Sequence, residues 1–318
     1  MPFVSTEQYA ETLLVTLIDY FLSFFGLILS FLAVFTIIKS PHFVNSYGTL
    51  ALNHTCCNIL CLLVYFLWVT PTTYTQALDV SSSKLGKITG QLHLLFCICM
   101  VYSHLALSLN RFVTLLRSKT RSIFSHNISH FIIIFIWILA FLHTIPLFWY
   151  QDCYLTYDPS KWQWVMGGAK LCATFKLFVL QYLCTFLAGI SFLLCLSTWT
   201  LMSGNTVKRH PMETKLLREE LWRSCGFFVA TLSSNILSGW VAERWQKYVL
   251  VCVSWQGYHL LDSLVVLLLH FHRKLLAERH PPNPDHHHTP SFIHVEHPGA
   301  HPSPNLHHHA RFSKVDTV

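Results

Sequence analysis

Charge is scarce in this sequence. Asp, Glu, Lys and Arg make up 12% of the 318 residues, about half of the ~25% usual in soluble globular chains. So little charge cannot cover the water-facing surface of a domain this size. It also excludes a solvated disordered chain. Proline is equally scarce where it would break a long helix. Only Pro146 falls inside an apolar run, and none stands between Pro211 and Pro281. No internal repeat is visible. Both absences count against a transporter assembled from broken helices in repeated halves. No HExxH or comparable ligand spacing occurs, which counts against an intramembrane metal hydrolase, although His54, His104, His259 and Asp262 are of the right ligand types. Cysteine is almost absent outside the apolar runs. Nine of the eleven lie within them, where they act as small hydrophobes, and only Cys153 and Cys172 lie outside.

What is abundant is apolar length. Hydrophobic residues reach 53% and mean hydropathy is +0.43. A helix needs about 20 mostly apolar residues to cross a bilayer, and seven runs meet or approach this. They cover about 13–38, 47–69, 88–114, 128–148, 174–201, 221–240 and 248–271. The sixth is the weakest, with Arg223 near one end and Thr231, Ser233, Ser234 and Asn235 inside. The fold class expected is an all-α membrane protein, a bundle of seven transmembrane helices over 13–276. A short extracellular segment, 1–12, precedes it. The first run has no basic region before it and no small-residue cleavage site after it, so it reads as a retained span. After Ala277 the composition changes. Residues 277–318 hold ten His and seven Pro and no apolar run, which reads as a solvated, disordered tail with incidental histidines.

Orientation follows from Lys and Arg near the span ends. Thirteen flank one side, among them Lys39, Arg111, Lys208 to Arg223 and Arg273, and seven the other, among them Lys84, Lys161 and Arg244. The richer side is expected to be cytoplasmic, placing the N-terminus outside. The net charge of +7 is thus an orientation signal, and no nucleic-acid partner is expected. The sequons at Asn53 and Asn127 fall in a span and on the inner side, so no N-glycan is expected. Cys153 and Cys172 share an outer loop in an oxidising compartment, which favours a bridge over two free thiols.

Polar groups inside a bilayer face the bundle interior, so they should recur at helical spacing. They do. Asp19, Ser23, Gly26, Ser30 and Ala33 form such a stripe in the first run, and His54, Asn58, Cys61, Tyr65 and Trp68 in the second. His93, Cys97, Met100, His104, Ser108 and Arg111 follow in the third. Ser224, Phe228, Thr231, Asn235 and Ser238 mark the sixth, and Trp255, His259, Asp262 and Val266 the seventh. Asp262 is the costliest of these, at about 2.5–3.5 kcal/mol for an unpaired mid-span carboxylate. It is expected to share a polar cluster with Asn58. Asp19 stands nearer the outer end, where it could meet a ligand or reach the interface. Arg111, at the inner end of the third run, is either a snorkelling anchor or a functional cation.

Several runs together resemble the nematode serpentine receptor class X family. Ser46-Tyr47-Gly48, Ala51-Leu52-Asn53-His54 and Phe66-Leu67-Trp68-Val69-Thr70-Pro71 look like its second span. Gly86-Lys87-Ile88-Thr89-Gly90-Gln91 and Val101-Tyr102-Ser103-His104-Leu105 through Leu109-Asn110-Arg111-Phe112 look like its third. Ile136-Trp137-Ile138-Leu139 with Pro146, the loop Cys153-Tyr154 to Cys172, and His259-Leu260-Leu261-Asp262 are similar to later parts. The resemblance covers about residues 20–276. It implies a rhodopsin-like chemosensory receptor in the membrane, with no enzymatic activity, cofactor or metal. By that resemblance Asn110-Arg111-Phe112 takes the place of Asp-Arg-Tyr, with Arg111 as the switch cation. Asp262 and Asn58 take the places of an amide and an acid that appear exchanged between the second and seventh spans. The Cys-Trp-x-Pro sequence of the sixth span is missing. A small-molecule ligand is expected in the outer half of the bundle, against Trp68, Gln91, His93, His143, Gln181, Asn235 and Trp255. A heterotrimeric G protein is expected at Arg111 and the run from Lys208 to Arg223. The expected location is the plasma membrane of sensory cells, with lipid around the bundle.

Overall fold

The first apolar run folds as one helix of 34 residues, α1 (Thr6–Lys39). Its inner stripe is small and polar: Asp19, Ser23, Gly26, Ser30 and Ala33 are buried. Its outer face is aromatic, with Phe21, Phe24, Phe25, Phe31 and Phe35 exposed. This inverts the pattern of a soluble protein. It suits a helix surrounded by lipid, where small residues permit close packing between helices.

The computed structural model describes residues 6–40, 43–116, 126–149, 153–204 and 211–279. After α1 come α2 (Ser46–Thr75), the short α3 (Leu78–Ser82), α4 (Lys84–Leu116) and α5 (His126–Trp149). Strands β1 (Leu155–Asp158) and β2 (Gln163–Met166) form an antiparallel hairpin with Leu155 opposite Met166 and Asp158 opposite Gln163. Then follow α6 over 170–204, α7 (Pro211–Asn235) and α8 over 244–279. The described residues up to Leu276 form one compact unit. The tail expected over 277–318 lies almost wholly outside the described residues, as do Lys208 and Arg209.

Among the described residues, six helices are long and apolar enough to cross a membrane: α1, α2, α4, α5, α6 and α8. The seventh long helix, α7, differs from the run expected over 221–240. It starts at Pro211 and stops at Asn235, before a separate 3-10 turn at Leu237–Gly239. Its polarity is turned inward, since Glu220, Arg223, Ser224, Thr231 and Ser233 are buried.

Helix α4 is the hub. It packs on α2, α5, α6 and the hairpin. Leu94, Ile98, Met100 and Val101 form a core with Cys57, Phe227 and Tyr258. A second core, nearer the other end, joins Ala33, Ile37, Tyr47, Leu50, Leu107 and Val266. Two side-chain bonds lock α2, α4 and α5: Trp137 Nε1 donates to Asn53 Oδ1 at 2.9 Å, and Asn53 Nδ2 donates to Ser103 Oγ at 2.7 Å. Both ends of the Asn53 amide are thereby used. Ser30 and Ser263 hydroxyls, 2.7 Å apart, join α1 to α8.

Candidate functional site: an end cavity and a buried charge cluster

Three helices widen locally into π turns, at Tyr65–Val69, Lys176–Cys184 and Val249–Val253. Such turns displace side chains from the regular register and recur at functional sites. Here all three feed one cavity of about 510 Å³, supplying Tyr65, then Lys176, Leu180 and Gln181, then Val251. The wall also includes His93, Leu94 and Cys97 of α4, the second strand and its flanks from Gln163 to Gly167, and Ser234, Asn235 and Trp255. Asn235 closes the α6 side. Its Nδ2 donates to the Leu180 carbonyl at 2.7 Å, inside the wide turn. Trp255 Nε1 donates to Ser234 Oγ at 2.9 Å, tying α8 to α7.

The hairpin covers this cavity because three features pin it. Cys153 and Cys172 form a disulfide, both fully buried, joining the start of the hairpin to the start of α6. Gly90 on α4 lets the backbone of β1 approach: a Cβ there would lie 2.0 Å from the Leu155 carbonyl oxygen. The turn is held by Asp158, whose carboxylate accepts from Ser160 N at 3.0 Å, Ser160 Oγ at 2.6 Å and Lys161 Nζ at 2.8 Å. Burial pushes the Asp158 carboxyl up, but the bonds from Lys161 and Ser160 outweigh it and hold the group below the ordinary carboxylate value. Trp162, with φ of 54°, is completely buried, and the Arg244 guanidinium sits 3.6 Å above its ring.

Of the seven ligand-contact residues expected from sequence, His93, Gln181, Asn235 and Trp255 line the cavity. Trp68, Gln91 and His143 stand outside its lining. Trp68 packs in a separate cluster around Val15 and Tyr248. Gln91 is buried on α4. His143 spends its Nδ1 on the Leu139 carbonyl at 2.7 Å, one turn back on its own helix. Asp19 reaches no interface: it is fully buried and accepts from Tyr248 at 2.9 Å and Gln256 at 2.7 Å.

Deeper in the bundle lies a cluster of charges. Asp262 on α8 meets Asn58 on α2, whose Nδ2 donates to Oδ2 at 2.7 Å. The Asn58 Oδ1 is therefore free to accept from His259 Nδ1 at 3.1 Å. The strongest partner of Asp262 was counted among the inner-end cations in the sequence. Arg223 on α7 donates from Nε to Oδ1 at 2.7 Å, with its second terminal nitrogen 2.6 Å away. Arg223 is 1% exposed, so it cannot meet a partner protein directly. Its other terminal nitrogen reaches Tyr47 Oη at 3.1 Å and Glu220 Oε2 at 3.2 Å, and Tyr47 donates to Glu220 at 2.7 Å. The Arg111 guanidinium lies 3.6 Å from the centre of the Tyr47 ring, a cation–π contact. Beside it, Asn110 donates to Ser46 Oγ at 3.3 Å. Two guanidiniums and two carboxylates are thus linked across α2, α4, α7 and α8 through one tyrosine. Tyr47 and Glu220 gave no periodic signal as switch residues. His54 sits 3.0 Å from the Tyr258 hydroxyl and His104 3.2 Å from Ser224 Oγ. His54 Nε2 also lies 3.6 Å from Asp262 Oδ1, the oxygen that Arg223 engages.

Residues of α6, α7 and α8 wall the cavity, and the charge cluster joins α7 and α8 to α2 and α4 further along.

Comparison with known proteins agrees with this architecture. The crystal structure of squid rhodopsin superposes with a TM-score of 0.64 at 12% identity, covering 85% of each chain, and shows the fold. Serpentine receptor class X 45 of Caenorhabditis elegans is 20% identical over 296 residues, covering 83% of this chain and 80% of that protein. The model of the serpentine type 7TM GPCR chemoreceptor Srx family matches residues 20–270. With a match of that extent, running from α1 through the Arg223–Asp262 contact into α8, the chain belongs to the Srx family of seven-transmembrane GPCR chemoreceptors.

Proposed function

We propose that this protein is a receptor for an external small molecule, which binds in the cavity beneath the hairpin. The observation that carries this reading is the cavity of about 510 Å³, within the ordinary range for small-ligand sites of about 300–1,000 Å³. Family membership and a rhodopsin-like fold support a receptor role. Within it we place the hairpin and N-terminus outside, and Arg111 inside. The ligand favours one of two arrangements of α6, α7 and α8 through its differential affinity for them. In the active arrangement the Arg223–Asp262 and Arg111–Tyr47 contacts open, releasing Arg111 towards a heterotrimeric G protein. The protein works in the plasma membrane of sensory cells, without catalysis and without a nucleic-acid partner.

The test is a small-molecule panel on cells that express the full chain with a G-protein activation reporter. Trp255→Ala and Asn235→Leu should weaken the response to any active compound while surface expression is retained. Arg111→Ala should abolish signalling without abolishing ligand binding. Normal signalling by a surface-expressed Arg111→Ala chain would remove Arg111 from coupling. Responses unchanged in both cavity variants would move the ligand elsewhere.

A further inference from the structure

We propose that Cys61, His93 and Cys97 form a zinc site in the wall of the cavity. His93 and Cys97 are one helical turn apart on α4, hence on one face, and Cys61 projects from α2. The Cys61 and Cys97 sulfurs lie 3.9 Å apart, and Cys97 Sγ lies 3.7 Å from His93 Nε2. All three ligand atoms fall within 4.8 Å of one another. Zinc bonds of about 2.3 Å to sulfur and 2.0–2.1 Å to nitrogen give tetrahedral edges of about 3.8 Å between sulfurs and about 3.6 Å from sulfur to nitrogen. The two measured edges are close to these. Two of the triad's three edges are therefore already spaced for the ion, and the third falls within 4.8 Å.

The surroundings favour zinc in particular. Two thiolates and a neutral imidazole exactly balance its double charge, so the filled site adds no net charge to a low-dielectric interior. A monovalent copper ion on the same ligands would leave one negative charge there. The imidazole is also held, with Nε2 turned to the Cys97 sulfur. It stacks on Trp164 at 4.5 Å and meets the edge of Tyr65 at 5.4 Å, while its Nδ1 makes no hydrogen bond. Binding releases the two thiol protons.

Three ligands leave a tetrahedral ion one open position. His93 and Cys97 line the cavity and Cys61 does not, so the open position faces the cavity. A Lewis-basic small molecule with a nitrogen or sulfur donor would complete it. This second step rests on the receptor reading above; the metal site does not.

The test uses the purified full chain in detergent, with Co²⁺ as the spectroscopic substitute for zinc. Thiolate-to-cobalt charge transfer reports cysteine ligation, and the tail histidines such as His286 to His288 cannot produce it. We expect one cobalt per chain with this band, displacement by Zn²⁺, loss of the band in Cys97→Ser, and its retention in Cys225→Ser. In the unsubstituted chain, Zn²⁺ should protect Cys61 and Cys97 from maleimide, so the site remains testable even if Cys97→Ser does not fold. No charge transfer in the folded unsubstituted chain, a band that survives in Cys97→Ser, or recovery of Cys61 and Cys97 as a disulfide would overturn the site. Added imidazole should shift the visible cobalt bands without removing metal. Bands that do not move would overturn the ligand-coordinating role alone. Neither failure touches the receptor reading, which the G-protein reporter tests by itself.

Discussion

Arg223 and Asp262 form an ion pair between α7 and α8 that excludes water from both partners, with Nε 2.7 Å from Oδ1 and relative exposures of 1% and 0%. Removing one partner of such a pair strands the other charge, at a cost of about 3–5 kcal/mol. Arg223→Leu is therefore expected to lower the thermal stability of the detergent-purified chain by that order. Arg223→Leu combined with Asp262→Leu should recover a large part of it, because neither charge is then buried alone. Purely additive losses in the double variant would show that the two residues do not act as a pair. The milder Asp262→Asn keeps a polar group against Asn58 but weakens the hold on α7. It is expected to raise ligand-independent signalling in the reporter cells.

The disulfide between Cys153 and Cys172 closes a loop with a sequence separation of 19. On the chain-entropy model this contributes roughly 3 kcal/mol. Cys153→Ser with Cys172→Ser should lose a comparable amount of stability, read by thermal unfolding. It should also weaken ligand responses, since the hairpin forms one wall of the cavity. Equal stability with and without the bridge would mean that Gly90 and the Asp158 turn hold the hairpin unaided.

Much of this was legible from periodicity alone. The stripe from Asp19 to Ala33 does face inward, and Asn58 does meet Asp262. Both follow from one rule, that polar groups in a membrane turn away from lipid. Arg223 was not legible as the partner of Asp262. In the sequence the apolar run begins at Leu221, which puts Arg223 at a span end, where cations normally snorkel. Helix α7 actually begins at Pro211, so Arg223 lies well inside it and points inward. Whether a residue points inward near an end depends on helix rotation, which a single sequence does not contain. The spacing between Cys61 and the His93–Cys97 pair likewise depends on how α2 packs on α4. For His143, a bond to its own helix backbone competed with the cavity and won.

Gly90 tests how the hairpin is seated. Any side chain there would bring a Cβ to 2.0 Å from the Leu155 carbonyl oxygen, a backbone atom that cannot rotate away. Gly90→Ala must push β1 off α4, and overpacking of this kind costs about 1–3 kcal/mol. Reduced thermal stability together with weaker ligand responses is the expected outcome. Gly168→Ala is the matched control, since nothing lies within 4 Å of a Cβ at that position. Equal behaviour of the two variants would show that the close approach does not constrain the hairpin.

The Asp158 turn should give the hairpin a pH dependence of known sign. The carboxyl is held below its ordinary value of about 3.9. A depressed value means that the folded state binds its proton less readily than the unfolded chain does. The contribution is therefore complete above the ordinary carboxylate range, and it fades as pH falls through that range and below it. Lys161 is 58% exposed on its side chain, so solvent screens the pair and the effect stays below about 1 kcal/mol. Asp158→Asn keeps an oxygen for the backbone N–H groups of Ser160 and Lys161 but has no charge to lose. The unsubstituted chain should thus exceed Asp158→Asn in melting temperature at pH 6, and the gap should close as the pH approaches 3. A gap that stays constant over that interval would assign the turn's stability to the hydrogen bonds alone, with no part for the charge on Asp158.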